Sequence, residues 1–255
     1  MSRISVVTGA ASGIGKATAE LLRSRGERVI GVDLHDADIT ADLSTQAGLD
    51  AMVAAVTSTS DGRIDAIYAI AGLAIDKAIT VKVNFFGMTG TLTGLRPLLL
   101  GSDAPRAVGI SSMASLFPFD EELVAAMAAG DEAAAVARAE AIEGQGLIYG
   151  STKRAFAQWI RRSAPTPEWA GASIPLNAVA PGVIRTAMTA DMLTTAQDET
   201  NLLTRVPMPL NGVAEPGVVA RLLVWLNSTE NTHLCGQVVF VDGGSDVVIR
   251  GDSTW

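Results

Sequence analysis

Residues 3–22 read RISVVTGAASGIGKATAELL, and this stretch decides how the rest of the chain is read. An apolar, β-branched run closes on a glycine-rich turn, and a helical pattern runs from Ile14 to about Arg25 before Gly26 stops it. A buried strand that turns at once into a helix is the first half of a βαβ unit. The same alternation continues along the chain. Further strands are expected at RVIGVD (28–33), IDAIYAIAG (64–72), RAVGISS (106–112), SIPLNAVAPG (173–182) and QVVFVDGG (237–244). Helices are expected at about 44–58, 79–99, from 147 onward, and at 215–227. The strands are continuous apolar runs rather than alternating ones, as a parallel sheet covered on both faces requires. The expectation is an α/β chain with one doubly wound parallel sheet, residues 1–255 forming a single domain.

Two segments interrupt the alternation. Residues 117–146 are alanine-rich and acidic and predict two short helices, a helical insertion. Residues 187–210 follow a strand end and mix Met and Leu with polar residues; a long excursion there predicts a substrate lid.

Bulk properties exclude several functions. With 48% hydrophobic residues the chain can bury a sizeable core, and a formal charge of -8 argues against a nucleic-acid partner. Cys235 is the only cysteine, and His35 and His233 have no ligand spacing around them, so no metal site is expected. No apolar run is long enough for a bilayer, and the start of the chain lacks a signal-peptide pattern. A soluble, cytoplasmic protein is expected.

In the glycine turn, Gly9, Gly13 and Gly15 let the backbone turn tightly and approach a ligand, with Ser12 and Ile14 at the helix start. The free N–H groups and positive dipole end of that helix suit a phosphate. Eighteen residues past Gly15, Asp33 ends the second strand, where a carboxylate can accept from adenosine ribose hydroxyls. It would repel a 2′-phosphate, and Ser12 offers no compensating charge, so NAD is favoured over NADP. Asp42 and Leu43 are candidates to flank the adenine; a helix cap is an equally good reading of Asp42.

In LIYGSTKRAF (147–156), Tyr149, Lys153, Phe156 and Ile160 share one helix face. An ammonium on a packed face is costly unless it has work to do. Lys153 could bind the nicotinamide ribose and, by its charge, lower the pKa of Tyr149, making it an acid/base near neutral pH. Alone, the pair reads better as packing with a snorkelling lysine.

Together these motifs resemble the short-chain dehydrogenase/reductase family over nearly the whole chain. Its TGxxxGxG is Thr8–Gly15, its YxxxK is Tyr149–Lys153, and its serine-bearing strand end is ISSMAS (110–115). VNFFG (83–87), Pro181-Gly182 and Asp242–Gly244 complete the pattern. The resemblance implies a Rossmann fold and NAD as cofactor. It implies Tyr149 as general acid/base, Lys153 as ribose ligand, Ser112 rather than Ser111 on the substrate oxygen, and Asn84 positioning a relay water. Val83 would pack by the adenine or ribose, and Ile184 and Thr186 would engage the carboxamide and pyrophosphate. The family's NNAG is AIAG here (69–72): Ala71 and Gly72 still admit the cofactor, but the asparagine contribution is missing.

Within the family the resemblance is to the subgroup of bacterial 3α-hydroxysteroid dehydrogenases/carbonyl reductases, through GVDLHDADITADLST (31–45), the short link from AGL to VNFFG, and the insertion. It implies a homodimer through the 215–227 helix and the last strand, the insertion covering the face other members use for tetramers. An apolar rim of Phe117, Pro118, Phe119, Met188, Met192, Leu193 and Leu202 suits a hydrophobic secondary alcohol or ketone: a steroid, or a smaller cyclic, terpenoid or aryl compound. Enoyl reductases of the related branch space Tyr and Lys farther apart. A non-catalytic NAD-sensing module would need the glycine turn and Asp33 but not Asn84, Ser112, Tyr149 and Lys153 together.

Overall fold

The computed structural model describes residues 2–253. The chain runs β1 (Ile4–Thr8), α1 (Gly13–Ser24), β2 (Arg28–Asp33), β3 (Ile39–Thr40), α2 (Gln46–Thr59) and β4 (Ala66–Ala69). A long helix follows in three parts: α3 (Ile79–Val81), a π-type segment (Lys82–Gly87) and α4 (Met88–Leu99). Then come β5 (Arg106–Ile110), α5 (Glu121–Ala129), α6 (Glu132–Ala141), α7 (Ile148–Ser163) and β6 (Leu176–Pro181). The chain closes with α8 (Ala196–Arg205), α9 (Pro216–Leu226), β7 (Val238–Val241) and α10 (Ser245–Arg250).

The strands form one seven-stranded sheet in the order β3-β2-β1-β4-β5-β6-β7, with every pairing parallel. The chain winds outward from β1 to β3, then crosses over to β4 on β1's other side. That reversal opens a crevice at the carboxyl ends of β1 and β4, where ligands of open α/β sheets bind. The short β3 carries no periodic signal and went unforeseen, as did α10 after the final DGG.

Covered on both faces, the central strands bury nearly every side chain. Val6, Val7, Ile67, Ala107, Val108, Ala178 and Val179 are all fully buried. Each buried Val or Ile contributes about 1.5–3 kcal/mol. α1 packs with α9, and α2 with α4. α7 lies close on the sheet: a Cβ at Gly109 of β5 would overlap the ring of Phe156. Gly109→Ala is therefore expected to lower the unfolding free energy by about 1–3 kcal/mol, read as a lower denaturant midpoint. An unchanged midpoint would mean that Phe156 can move aside.

The insertion folds as the two expected helices and packs on α7. Asp120 caps α5 by accepting from Leu123 N at 2.7 Å and takes both arms of Arg138, at 3.0 and 2.6 Å. Its own N–H donates to Ser151 Oγ of α7 at 2.9 Å, tying insertion to helix. The lid segment holds a 3₁₀ turn (Ala187–Met192) and α8. Arg185 joins Glu199 of α8 at 3.0 Å to Glu215, at the start of α9, at 3.4 Å.

Candidate active site

At the carboxyl ends of β1 and β4 lies a cleft of about 520 Å³. β1 ends at Thr8, whose hydroxyl accepts from Ile70 N at 2.9 Å and Ala71 N at 3.1 Å. This threonine bridges the ends of β1 and β4 and fixes the AIAG segment without the asparagine that segment lacks. Gly9 turns the chain at φ +70, against the Ala71 backbone. A Cβ at Gly15 would fall on the Gly9 carbonyl, so only glycine lets α1 start this close to β1. Ser12 stands at the N-cap of α1 in extended backbone, yet its hydroxyl makes no cap bond. The first-turn N–H groups of α1 are left for an anion, which is what a pyrophosphate requires. Gly13, Ile14 and Thr186 line the same end.

Asp33 terminates β2 on the cleft wall, with Oδ2 accepting from Ala11 N at 2.9 Å and Oδ1 from Leu34 N at 2.7 Å. Asp42 and Leu43 line this end too. Thr45, not Asp42, caps α2, accepting from Gly48 N at 3.0 Å. Asp42 instead holds Ser44 through its N–H and hydroxyl, bonds that depress its carboxyl pKa. Among the described residues lining the cleft, Lys153 is the one cation, and it lies among the catalytic candidates. The residues present thus fit a dinucleotide whose adenosine ribose meets a carboxylate.

At the other end α7 presents Tyr149 and Lys153, and the end of β5 presents Ser112. Lys153 is 3% exposed, its Nζ donates to Ile110 O at 3.1 Å, and it lies 5.7 Å from the centre of the Tyr149 ring. Ser111 is spent on the backbone, donating to Lys153 O at 2.9 Å, so Ser112 is the serine that meets Tyr149. Ala71, Gly72, Val83, Pro181, Gly182 and Ile184 complete the walls.

Two expectations need correction, the Tyr149 pKa and the apolar rim. Burial, not the lysine charge, dominates Tyr149: its pKa is raised, opposed only by the hydrogen bond with Ser112. The same desolvation pushes Lys153 down to about 7, so the positive charge expected to stabilise a phenolate is only partly present at neutral pH. Asn84 is fully buried and does not line the cleft. Its Oδ1 accepts from Leu73 N at 2.8 Å, while Nδ2 donates to Leu73 O at 2.8 Å and Thr152 Oγ1 at 3.3 Å. Its side-chain amide holds the loop after β4. Finally, of the apolar rim only Met188 lines the cleft. Phe117, Leu193 and Leu202 pack on a small cluster of Met113, Val183, Val206 and Met208, and Phe119 joins the main core beneath the Arg154 guanidinium. Leu34, Leu73, Ile79 and Ile110 line the cleft but escaped the sequence reading. Their common signal is a place at or just beyond a strand end or at a helix start.

A raised phenol pKa fixes the sign of the pH response. Ketone reduction uses the protonated phenol, abundant at neutral pH; alcohol oxidation needs it deprotonated. The kcat/KM for oxidation is expected to climb as pH rises from neutral, and that for reduction to stay level and then fall. Matching profiles in both directions would refute Tyr149 as the titrating group.

The chain matches the family model described as enoyl-(acyl carrier protein) reductase over residues 9–246. It is 34% identical to the 3-alpha-hydroxysteroid dehydrogenase/carbonyl reductase of Comamonas testosteroni over 97% of this chain and 98% of that relative. It is 28% identical to a 3-oxoacyl-(acyl-carrier-protein) reductase of Thermotoga maritima, over 95% of this chain and 97% of the relative. The crystal structure of the 3-alpha-hydroxysteroid dehydrogenase from Pseudomonas sp. B-0831 complexed with NADH matches with a TM-score of 0.90 at 37% identity, covering 98% of this chain and 99% of that one.

Proposed function

The chain belongs to the short-chain dehydrogenase/reductase family, and from that premise we propose that it uses NAD(H) to interconvert a hydrophobic secondary alcohol and ketone, with 3α-hydroxysteroids as the substrate class. It is an oxidoreductase acting on alcohol and ketone groups. The choice of NAD rests on Asp33: a 2′-phosphate there would meet a carboxylate, and among the described residues lining the cleft only Lys153, with the catalytic candidates, is a cation. The substrate class rests on the likeness to two hydroxysteroid dehydrogenases that spans nearly the whole chain. The enoyl reductase in the family model's description is not favoured, because Tyr149 and Lys153 stand only one helical turn apart.

The observation that carries the mechanism is the meeting of Tyr149, Ser112 and Lys153 at one end of a cleft whose other end is built for a nucleotide. When bound, the dinucleotide supplies or accepts the hydride. Ser112 and Tyr149 hold the substrate oxygen between two hydroxyls, which orients the carbinol carbon. Tyr149 gives its proton to that oxygen in reduction and takes it back in oxidation. Lys153, turned inward beside the tyrosine, binds the nicotinamide ribose hydroxyls. Asn84 keeps Leu73 against the cleft, so the wall facing the substrate holds its shape.

A homodimer fits the apolar surface left on one edge. Trp225 and Val218 of α9 are 41% and 36% exposed on a helix that packs against α1 and β6, the strand next to the edge strand β7, and α5 packs against α7. Trp225→Asp is expected to convert the dimer to monomer in light scattering; an unaltered dimer would place the interface elsewhere. No helix among the described residues is long and apolar enough to cross a membrane, and the single free thiol suits a reducing, cytoplasmic setting.

The substrate assignment is tested by following NAD⁺ reduction with a 3α-hydroxysteroid beside cyclic terpenoid and aryl alcohols, with NADP⁺ in parallel. Fast steroid turnover with NAD⁺ is expected. Turnover of the smaller alcohols alone would replace the substrate class and keep the mechanism. A preference for NADP⁺ would overturn the role given to Asp33.

A further inference from the structure

Tyr149 is the second residue of α7, in the turn whose N–H groups have no partner within the helix. Leu147, at the N-cap position, has no side-chain oxygen to offer them. A carboxylate from far away in sequence does. Asp76, in the loop after β4, accepts from Gly146 N through Oδ2 at 2.8 Å and, at a longer 3.4 Å, from Ile148 N through Oδ1. The exchange is mutual. Glu143, just before α7, accepts from Ala78 N at 3.2 Å, at the start of the long helix that carries Asn84. Each loop thus places a carboxylate on the amino end of the other's helix, where the dipole also favours negative charge.

We propose that Asp76 is a positioning residue for Tyr149, with Glu143 its weaker counterpart on the helix of Asn84. The proposal rests on Tyr149 being the acid/base. Lys153 does not depend on this clasp. It lies one turn deeper, with Nζ held by Ile110 O and its carbonyl by Ser111. Loss of Asp76 would loosen the first turn and shift the tyrosine hydroxyl while leaving the ribose contact in place. Leu73 and Ile79, which line the cleft, flank the loop that carries Asp76. Thr80 Oγ1 also donates to Ile75 O at 2.6 Å, so the loop is itself well held and makes a firm base for the cap.

The test compares steady-state kinetics of Asp76→Ala, Asp76→Asn and Glu143→Ala with wild type. In Asp76→Ala, kcat is expected to fall by about 10- to 100-fold, the size of effect a small misplacement of a reacting group brings, with the KM for NAD⁺ unchanged. Asp76→Asn keeps a side-chain oxygen as acceptor and is expected to recover most of that loss, and Glu143→Ala to lose less. An unchanged kcat in Asp76→Ala, equal losses in the Ala and Asn variants, or a loss confined to the KM for NAD⁺ would overturn the proposal. If Asp76→Ala does not fold, Asp76→Asn carries the test through amide hydrogen exchange. Protection of Gly146 and Ile148 with near-normal kcat supports the clasp; exposed amides with normal kcat refute it. Should Tyr149→Phe turn over like wild type, the underlying reading fails instead, whatever the Asp76 variants do.

Discussion

Tyr149→Phe is expected to lower kcat by about 10²–10⁴-fold, the usual contribution of a positioned acid/base, while NAD⁺ still binds as in wild type. The ring is kept, so the packing of α7 against the sheet is unaltered; only the hydroxyl that meets Ser112 is lost. Nothing in the glycine turn or at Asp33 touches that hydroxyl, which is why binding and turnover should separate. Isothermal titration with NAD⁺ alongside steady-state rates reads both. A variant that keeps its turnover would remove the acid/base role, and one that also loses NAD⁺ would mean that the tyrosine mainly shapes the cleft.

Lys153→Met is expected to do two opposite things: abolish most turnover and stabilise the protein. Lys153 is buried with a pKa pushed down to about 7 by desolvation alone. Unfolded, the same lysine titrates near 10.5, so between those values the unfolded chain binds more protons than the folded one. The sign follows. The destabilisation is absent above about pH 10.5, accumulates as pH falls toward about 7, and is constant below that. Methionine fills a similar volume with no charge to desolvate, and replacing buried charge by a matched apolar side chain stabilises by about 1–4 kcal/mol in favourable cases. Unfolding midpoints at pH 6 and pH 10 test this: the gain should be large at the first and shrink at the second. A variant less stable than wild type at pH 6 would mean that the bond from Nζ to Ile110 O outweighs the burial cost. A buried group that lowers stability and persists is the mark of a functional site.

How much of this was legible in the sequence depends on how local each feature is. The glycine turn, Asp33 and the Tyr149–Lys153 pair are set within a few residues by strand-to-helix geometry, and all of them line one cleft. The parallel sheet followed from unbroken apolar strands, and the two helices of the insertion from their alanine-rich pattern. What was hidden depends on contacts between distant segments. Nothing near Asp76 shows that it caps a helix more than seventy residues on. The bonds from the Asn84 amide to Leu73 were hidden too, because only the fold brings the two residues together. Phe119 and Leu202 are as apolar as Met188, and only packing separates core and lid from cleft. The Tyr149 pKa went wrong for a related reason: proximity of a lysine is visible in a motif, but the depth at which both groups sit is not.

The central claim is hydride transfer between the substrate carbinol carbon and the nicotinamide, with Tyr149 handling the proton. It is tested most directly by a 3α-hydroxysteroid carrying deuterium on the carbinol carbon, incubated with NAD⁺ and the enzyme. The account predicts that the deuterium appears in the reduced nicotinamide as ketone forms, and that Tyr149→Phe slows this transfer without weakening NAD⁺ binding. Ketone formed with no deuterium on the nicotinamide, or NAD⁺ bound with no transfer from any secondary alcohol, would contradict it.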